Sequence, residues 1–389
     1  MCTPRTTRFR MGRAPSTAAL LSVALALVLG ACTAENPSAT PTPTPTRDPN
    51  ALNVTALLDL SGSRAPSGAP QRDALQIWAD QHSAGTPRVK LKIVDVASSP
   101  AKTALELRRE VVEARADAIV VGVSVDYDDT FASLVQLAQV PVLFTLPIPE
   151  PASTGGGWAF ALAPTPAQLA RSVLDDAALR SVLTSGLLVS DESATAITER
   201  IALTAELARR QVTMNVLTVT AADAAQKLRP VLASTPIVFF AGTPRSYLEA
   251  GRNATTGTTL YLSYLCDLGD VGDLRDAAPL AVWPGSRWIA ASASSASTPA
   301  RASFVQVYTD RAGGPPTSVA ASAYDALALL ASAAADGIDP VGVRDRLQSR
   351  TFAGVATTYT FSPAQHAGFN TGDLALLRYV GPKSSPAIR

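Results

Sequence analysis

The chain reads as an α/β protein of two similar lobes, each a parallel sheet flanked by helices. Three observations predict this. Short apolar runs alternate with amphipathic stretches from Leu52 onward, the rhythm of parallel strands covered on both faces. The rhythm breaks over Pro147–Pro164, a stretch rich in proline that carries Gly155-Gly156-Gly157, and then restarts on the same plan. The chain has 389 residues, 47% of them hydrophobic, enough to fill two packed lobes of ordinary size.

The first unit runs as follows. Asn53–Leu60 is a buried strand and Gln71–His82 a helix. Val89–Val96 is a second strand. Ser99-Pro100 supplies an N-cap and a first-turn proline for a helix whose Ala104, Leu107, Val111 and Ala114 recur at steps of three and four. Ala118–Val123 is a near-continuous apolar strand, Phe131–Gln139 a helix and Pro141–Leu146 the next strand.

In the second unit, Thr165-Pro166-Ala167-Gln168 is a capping box that opens a helix. Strands follow at Gly186–Ser190, Asn215–Val219, Ile237–Ala241 and Leu260–Leu262. Helices fall at Ala194–Arg210 and Ala222–Ala233, and Thr243-Pro244 caps another. Further on, Val319–Ala335 is a long Ala- and Leu-rich helix, and Asp339-Pro340 starts one toward Arg350. Thr357–Phe361 and Leu374–Val380 read as a closing, hairpin-like pair of strands.

The N-terminal stretch is of another kind. Arg5, Arg8, Arg10 and Arg13 precede the apolar run Ala18–Gly30, and small residues lead to Cys32. This is the pattern of an export signal, and the run falls short of the ~20 residues that span a bilayer. Leu29-Gly30-Ala31-Cys32 resembles the bacterial lipobox, which implies a signal peptide over residues 1–31 and a lipid on the Cys32 thiol. An ordinary signal peptide with an incidental Cys is the plainer alternative. Residues 32–50, with Pro37, Pro41, Pro43, Pro45 and Pro49 among threonines, read as a stiff, extended tether.

Composition excludes several classes. A formal net charge of +1 argues against a nucleic-acid footprint. Only His82 and His366 exist, and no Cys-x-x-Cys occurs, so no metal constellation or cofactor motif is expected. With Cys2 in the signal and Cys32 lipidated, Cys266 is alone and reads as a buried small hydrophobe. There is no Gly-x-Ser-x-Gly elbow, Walker loop or dinucleotide fingerprint. His82 closes a helix and His366 sits in a polar turn, so neither is a convincing base, and no enzyme activity is expected.

Several segments, in order, resemble the type 1 periplasmic-binding-protein fold, above all the branched-chain amino acid receptors of ABC transporters. These are Leu60-Ser61-Gly62 with Gly68, Ser99-Pro100-Ala101-Lys102, Asp117–Gly122, Ala323-Tyr324-Asp325-Ala326, Thr351–Val355 and Phe361-Ser362-Pro363. The resemblance spans nearly all of Leu52–Val380. It implies two lobes joined by three hinge crossings, near Ala159–Pro164, Trp283–Ala291 and Thr351–Val355. Lobe 1 would comprise residues 51–163 and 288–352, and lobe 2 residues 164–287 and 353–382. It further implies a solute-binding lipoprotein on the outer face of the cell membrane that captures a small molecule and serves an ABC-type permease. A non-transport envelope scaffold or sensory lipoprotein with a vestigial cleft is the alternative.

Ligands of open α/β sheets sit beyond the carboxyl ends of the strands and in interdomain clefts. That rule nominates Ser67, Ser124, Asp126, Tyr127, Thr145, Asp191, Thr243, Tyr264 and Asp267 as ligand contacts. Plainer roles stand beside these. Asp128 or Asp129 caps the helix containing Phe131, Asp191 caps the next lobe's helix, and Thr145 is a satisfied strand-end hydroxyl. Tyr324 belongs to the core, and Trp283 and Trp288 pack at a crossing around a Gly-containing turn. The loops depart from the amino acid receptors. Asp126, Asp128 and Asp129 would repel a ligand carboxylate, and Pro147 and Pro149 have no N–H to offer it. No aromatic precedes Gly68, and Asp191 lacks the nearby Tyr. The expectation is a neutral or cationic polar ligand rather than leucine, isoleucine or valine.

Overall fold

The structure is a computed structural model. It describes residues 48 and 50–389, apart from 114–115, 155–156, 181–182, 221, 243–256, 266–280, 291–297 and 381–385. The signal, Cys2, the lipobox with Cys32, the tether up to residue 47, Ala114, Thr243, Cys266 and Asp267 lie outside the described residues. No described helix is long and apolar enough to cross a membrane.

The first sheet contains β1 (Ala51–Leu58), β2 (Arg88–Asp95), β3 (Ala118–Gly122), β4 (Val142–Phe144) and β5 (Ala159–Ala161), in the order β2-β1-β3-β4-β5. All its pairings are parallel. Helices α1 (Ala65–Gln81), α2 (Pro100–Glu113) and α3 (Asp129–Ala138) connect the strands. β3 is buried along its whole length, as its unbroken Ala-Ile-Val-Val-Gly run requires. α1 begins before Gln71: Pro66 falls in its first turn, where no helical N–H is lost, and Pro70 lies inside the helix. It also passes close over β1. A Cβ on Gly68 would lie 1.8 Å from the Asp59 carbonyl oxygen, so only glycine fits.

The chain then crosses at Leu162–Thr165 into α4 (Pro166–Arg180). The capping box there forms in both directions. The Thr165 N–H donates to Gln168 Oε1 at 2.8 Å, and the Gln168 N–H donates to Thr165 Oγ1 at 3.3 Å. Next come β6 (Leu187–Ser190), α5 (Ala194–Arg209), β7 (Asn215–Thr218), α6 (Ala224–Leu232), β8 (Ile237–Ala241), β9 (Thr259–Tyr261) and β10 (Ala281–Ser286). After these the chain returns through α7 (Pro299–Ala312), α8 (Ser318–Ala334), α9 (Pro340–Ser349), β11 (Thr351–Ala353) and β12 (Thr358–Thr360). It ends with β13 (Leu374–Arg378) and β14 (Ala387–Ile388). The second sheet has the order β14-β13-β10-β9-β8-β6-β7, antiparallel only at β10–β13 and β13–β14. The helix α8 packs along α1 and is buried over most of its length.

The structure corrects the sequence reading in several places. β5, β10 and α7 were not foreseen. β10 is short of signal because it contains Pro284-Gly285. β9 pairs only with Ala281 and Val282, so Pro284 lies past that pairing, a position where its missing N–H is tolerated. Trp283 is therefore buried within a strand, not beside a turn, while Trp288 does pack at the crossing, with the Arg301 guanidinium 4.0 Å over its ring. Thr357–Phe361 and Leu374–Val380 do not pair with each other: β12 pairs with β11, and β13 with β10 and β14.

The last crossing also comes later than Thr351–Val355. Residues 366–368 still run beside β5, where the Gly368 N–H donates to the Ala161 carbonyl at 3.0 Å. The Glu150 carboxylate accepts from the His366 and Ala367 N–H groups. His366 is fully buried, stacked on Phe160, because this loop docks onto a sheet edge. It is not in a solvated turn.

Candidate functional site

The carboxyl ends of the strands converge, as the topology requires. Ser124 and Val125 after β3 and Pro147 after β4 face Thr195, Thr198 and Glu199 of α5, Leu265 after β9, and Pro166. The space between these two sides is ≈ 20 Å³, about one water's worth.

Among the described residues lining that space, Glu199 is the one charged group. Ser193 caps α5, accepting from the Ala196 N–H, which sets the helix start directly after β6. Thr195, Thr198 and Glu199 then fall at steps of three and four and share a face. The carboxylate accepts from Ser263 Oγ at 2.6 Å and from the Gly242 N–H at 2.8 Å. Gly242 has φ +103, and a Cβ on it would meet the Ala196 Cβ at 2.9 Å. Glycine is what allows that N–H to reach the carboxylate. Burial pushes the Glu199 pKa up to about 7. The bonds from Ser263 and Gly242 pull the other way, and the charge of Asp191 raises it further. On its inner side Glu199 borders a second void of ≈ 30 Å³, lined mainly by apolar residues such as Leu169, Val173, Phe239 and Tyr261.

The nominated residues divide. Ser124 lines the space between the sheets, and Tyr264 lines the inner void. Asp191 lies within electrostatic reach of Glu199, but its Oδ1 accepts from the Ser193 N–H at 2.8 Å, so it braces the turn into α5. Thr145 is fully buried, with its hydroxyl on Gln71 Oε1 at 2.5 Å. Tyr127 packs against Phe131 and Phe144 in the core. Ser67 sits in the first turns of α1, its hydroxyl donating to the Arg64 carbonyl. Asp126 is exposed and lines a groove between α2 and α3, away from the residues facing Glu199. Asp128 caps α3, accepting from the Phe131 N–H at 2.8 Å. The Asp126 and Asp128 side chains of the acidic loop therefore line that groove rather than the space facing Glu199. Glu199, Thr195, Thr198 and Ser263 went unnamed in the sequence. The signal was available: polar residues at helical spacing on a helix that starts just past a strand's carboxyl end.

A second polar cluster lies at the returning segment. Asp325 on α8 is fully buried and accepts from the Val355 N–H at 2.7 Å, the Ala356 N–H at 2.8 Å and the Tyr359 hydroxyl at 3.0 Å. Burial pushes its pKa up to about 7, against those three donors and the Arg301 charge. Ser286 at the end of β10 donates its hydroxyl to the Ala356 carbonyl, and its N–H donates to Ser318 Oγ. Thr357 donates to Asp373 at 2.8 Å. These bonds tie the ends of β10 and of the last crossing to α8. No group of His, Cys, Asp and Glu among the described residues is arranged to hold a metal ion.

Comparison with known proteins agrees with this architecture. A family profile described as periplasmic binding protein matches residues 51–382. Among solved structures, a type 1 periplasmic binding protein of Bordetella pertussis Tohama I superposes with TM-score 0.69 at 17% identity, covering 88% of this chain and 100% of that one. A leucine-binding protein of Thermotoga maritima MSB8 gives 0.71 at 15%, covering 87% and 97%. A branched-chain amino acid transporter substrate-binding protein of Streptococcus pneumoniae, in complex with isoleucine, gives 0.67 at 14%, covering 87% and 99%. A search of curated proteins finds no match. At such identities the structural likeness speaks for the fold alone, but the profile spans most of the sequence, and the chain belongs to the periplasmic binding protein family, with its type 1 fold.

Proposed function

We propose that the chain is a lipid-anchored, extracytoplasmic solute-binding protein that closes two lobes on a small polar ligand and delivers it to an ABC-type permease. Lobe 1 would comprise residues 51–163 and 288 up to the last crossing, and lobe 2 the remainder. The observation that carries the ligand class is Glu199, a half-buried carboxylate between the lobes. A cation placed there restores the stabilisation that burial removes, so a cationic ligand fits better than a zwitterion, whose carboxylate would also have to be held in a small space that carries Glu199 and lies near Asp191. The facing side supplies Ser124, Val125 and Pro147 rather than a row of donors. Capture of a small molecule for transport would be consistent with the isoleucine complex of the Streptococcus pneumoniae protein.

Calorimetry against small amines such as putrescine, neutral sugars, and leucine, isoleucine and valine tests this. Micromolar binding of a branched-chain amino acid would overturn the ligand class. The small space between the lobes, ≈ 20 Å³, favours a second reading, an envelope scaffold whose cleft stays shut. Silence across the whole panel would support it. The anchor is tested separately by mass spectrometry of the mature N-terminus, where an unmodified start beyond Cys32 removes the lipoprotein reading.

A further inference from the structure

The groove between α2 and α3 takes no part in the cleft. Its volume is ≈ 460 Å³. One wall is α2, with Leu105 and Arg108. The other is α3, with Phe131 and Leu134, and the loop leading into it adds Asp126 and Asp128. The ridges beside the groove are apolar and bare: Leu105 is 63% exposed, Val112 74% and Leu137 69%. Leu105, Arg108 and Val112 follow at steps of three and four, so they form one stripe on the outer face of α2. A cluster of large exposed apolar residues around a groove marks an interaction surface.

The charges say what kind of partner fits. The side chains of Arg108 and Asp126 are exposed and make no hydrogen bond or ion pair among the described residues. They are of opposite sign and on opposite walls of one groove. A partner with a patch of single sign would satisfy one and repel the other. A second copy of the same face, turned by a two-fold axis, satisfies both, because the Arg108–Asp126 pair then forms twice, once in each direction. The apolar ridge of each α2 also finds the apolar wall of Phe131 and Leu134 on the other copy. The helix has 14 residues, roughly 21 Å of length, enough to carry such a contact.

We propose that the α2–α3 face pairs with itself and makes the protein a two-fold dimer, with Arg108 of each copy against Asp126 of the other. The contact would use residues of the first sheet's helices and leave Glu199 and its surroundings accessible.

Sedimentation velocity of the full chain in mild detergent, over a concentration series, tests this. The wild type is expected to self-associate to a dimer. Arg108→Glu and Asp126→Lys should each weaken the dimer about tenfold or more, since each reversal sets like charges together in two symmetric places. The double variant Arg108→Glu/Asp126→Lys should restore it, because the pair is exchanged rather than lost. Leu137→Asp should dissociate it. Circular dichroism and the melting midpoint check that these surface variants fold. A wild type that stays monomeric at the highest concentration reached overturns the proposal, and the face then belongs to another occupant, the segment before Asp48 included. A dimer indifferent to Leu137→Asp, or one that the double variant fails to restore, overturns it equally.

Discussion

Asp325 and Glu199 make an instructive pair. Both are carboxylic acids that burial pushes up to about 7. Asp325 is fully enclosed, and three donors of its own chain occupy it. Each of them belongs to the segment that links α9 to the last crossing. Glu199 has two donors, a second carboxylate nearby and free space on two sides. One group is a brace and the other faces a place where a ligand can go. A shifted pKa marks both and distinguishes neither. What distinguishes them is whether the chain itself completes the hydrogen bonds.

The largest effect should come from removing the brace. Asp325→Ala strands two buried N–H groups and a tyrosine hydroxyl, and should destabilise the protein by about 3–5 kcal/mol. Urea unfolding at pH 7 measures it. A cost below about 1 kcal/mol would mean the segment finds other partners, and the contrast with Glu199 would collapse.

Glu199→Gln should do the opposite kind of thing. It keeps the shape, removes a charge that is costly to bury and leaves stability nearly unchanged or raised. A cationic ligand should bind it about tenfold or more weakly, the scale of a lost charge-assisted bond. Unaltered affinity in calorimetry would return Glu199 to a structural role like that of Asp325.

The pH dependence sharpens the comparison further. Both folded-state values lie above the ordinary 3.8 for Asp and 4.5 for Glu. The folded protein therefore holds protons that the unfolded chain releases, so their stabilising contribution is present below about 4 and is lost as pH rises through about 7. The melting midpoint attributable to these two groups should fall between pH 5 and pH 8, and Asp325→Asn and Glu199→Gln should each flatten the slope. Cation binding should move the other way, strengthening as pH passes 7, because only the ionised Glu199 attracts a cation. A flat binding profile would point to a neutral ligand.

The smallest effect is expected at Asp126. Asp126→Asn should leave ligand affinity within experimental error, because the side chain faces the α2–α3 groove. A loss of about tenfold would put the acidic loop back in the cleft.

Most strands and helices were legible because their residues carry the reason for their shape. The unbroken apolar run of β3, the capping box at Thr165–Gln168 and the Ala- and Leu-rich α8 depend on neighbours close in sequence. β5, β10 and the course of 366–368 do not. Three-residue strands and a strand holding Pro284-Gly285 have no propensity of their own, and the sheets they complete define them.

The site divides along the same line. Sequence alone determined the export pattern, the two α/β units and the general rule that a ligand lies beyond the strand ends. It also supplied both roles for Asp128 and Thr145, cap or contact and satisfied hydroxyl or contact, without deciding between them. Tertiary structure decided, since a hydroxyl or carboxylate takes whichever donor or acceptor the fold brings within about 3 Å. Thr145 meets Gln71, and Asp128 meets the first turn of α3. Glu199 meets Gly242 and Ser263 from two other strands' ends. No spacing along the chain encodes those last distances. They arise because parallel strands far apart in sequence lie side by side and end together, and that register belongs to the sheet rather than to any one segment.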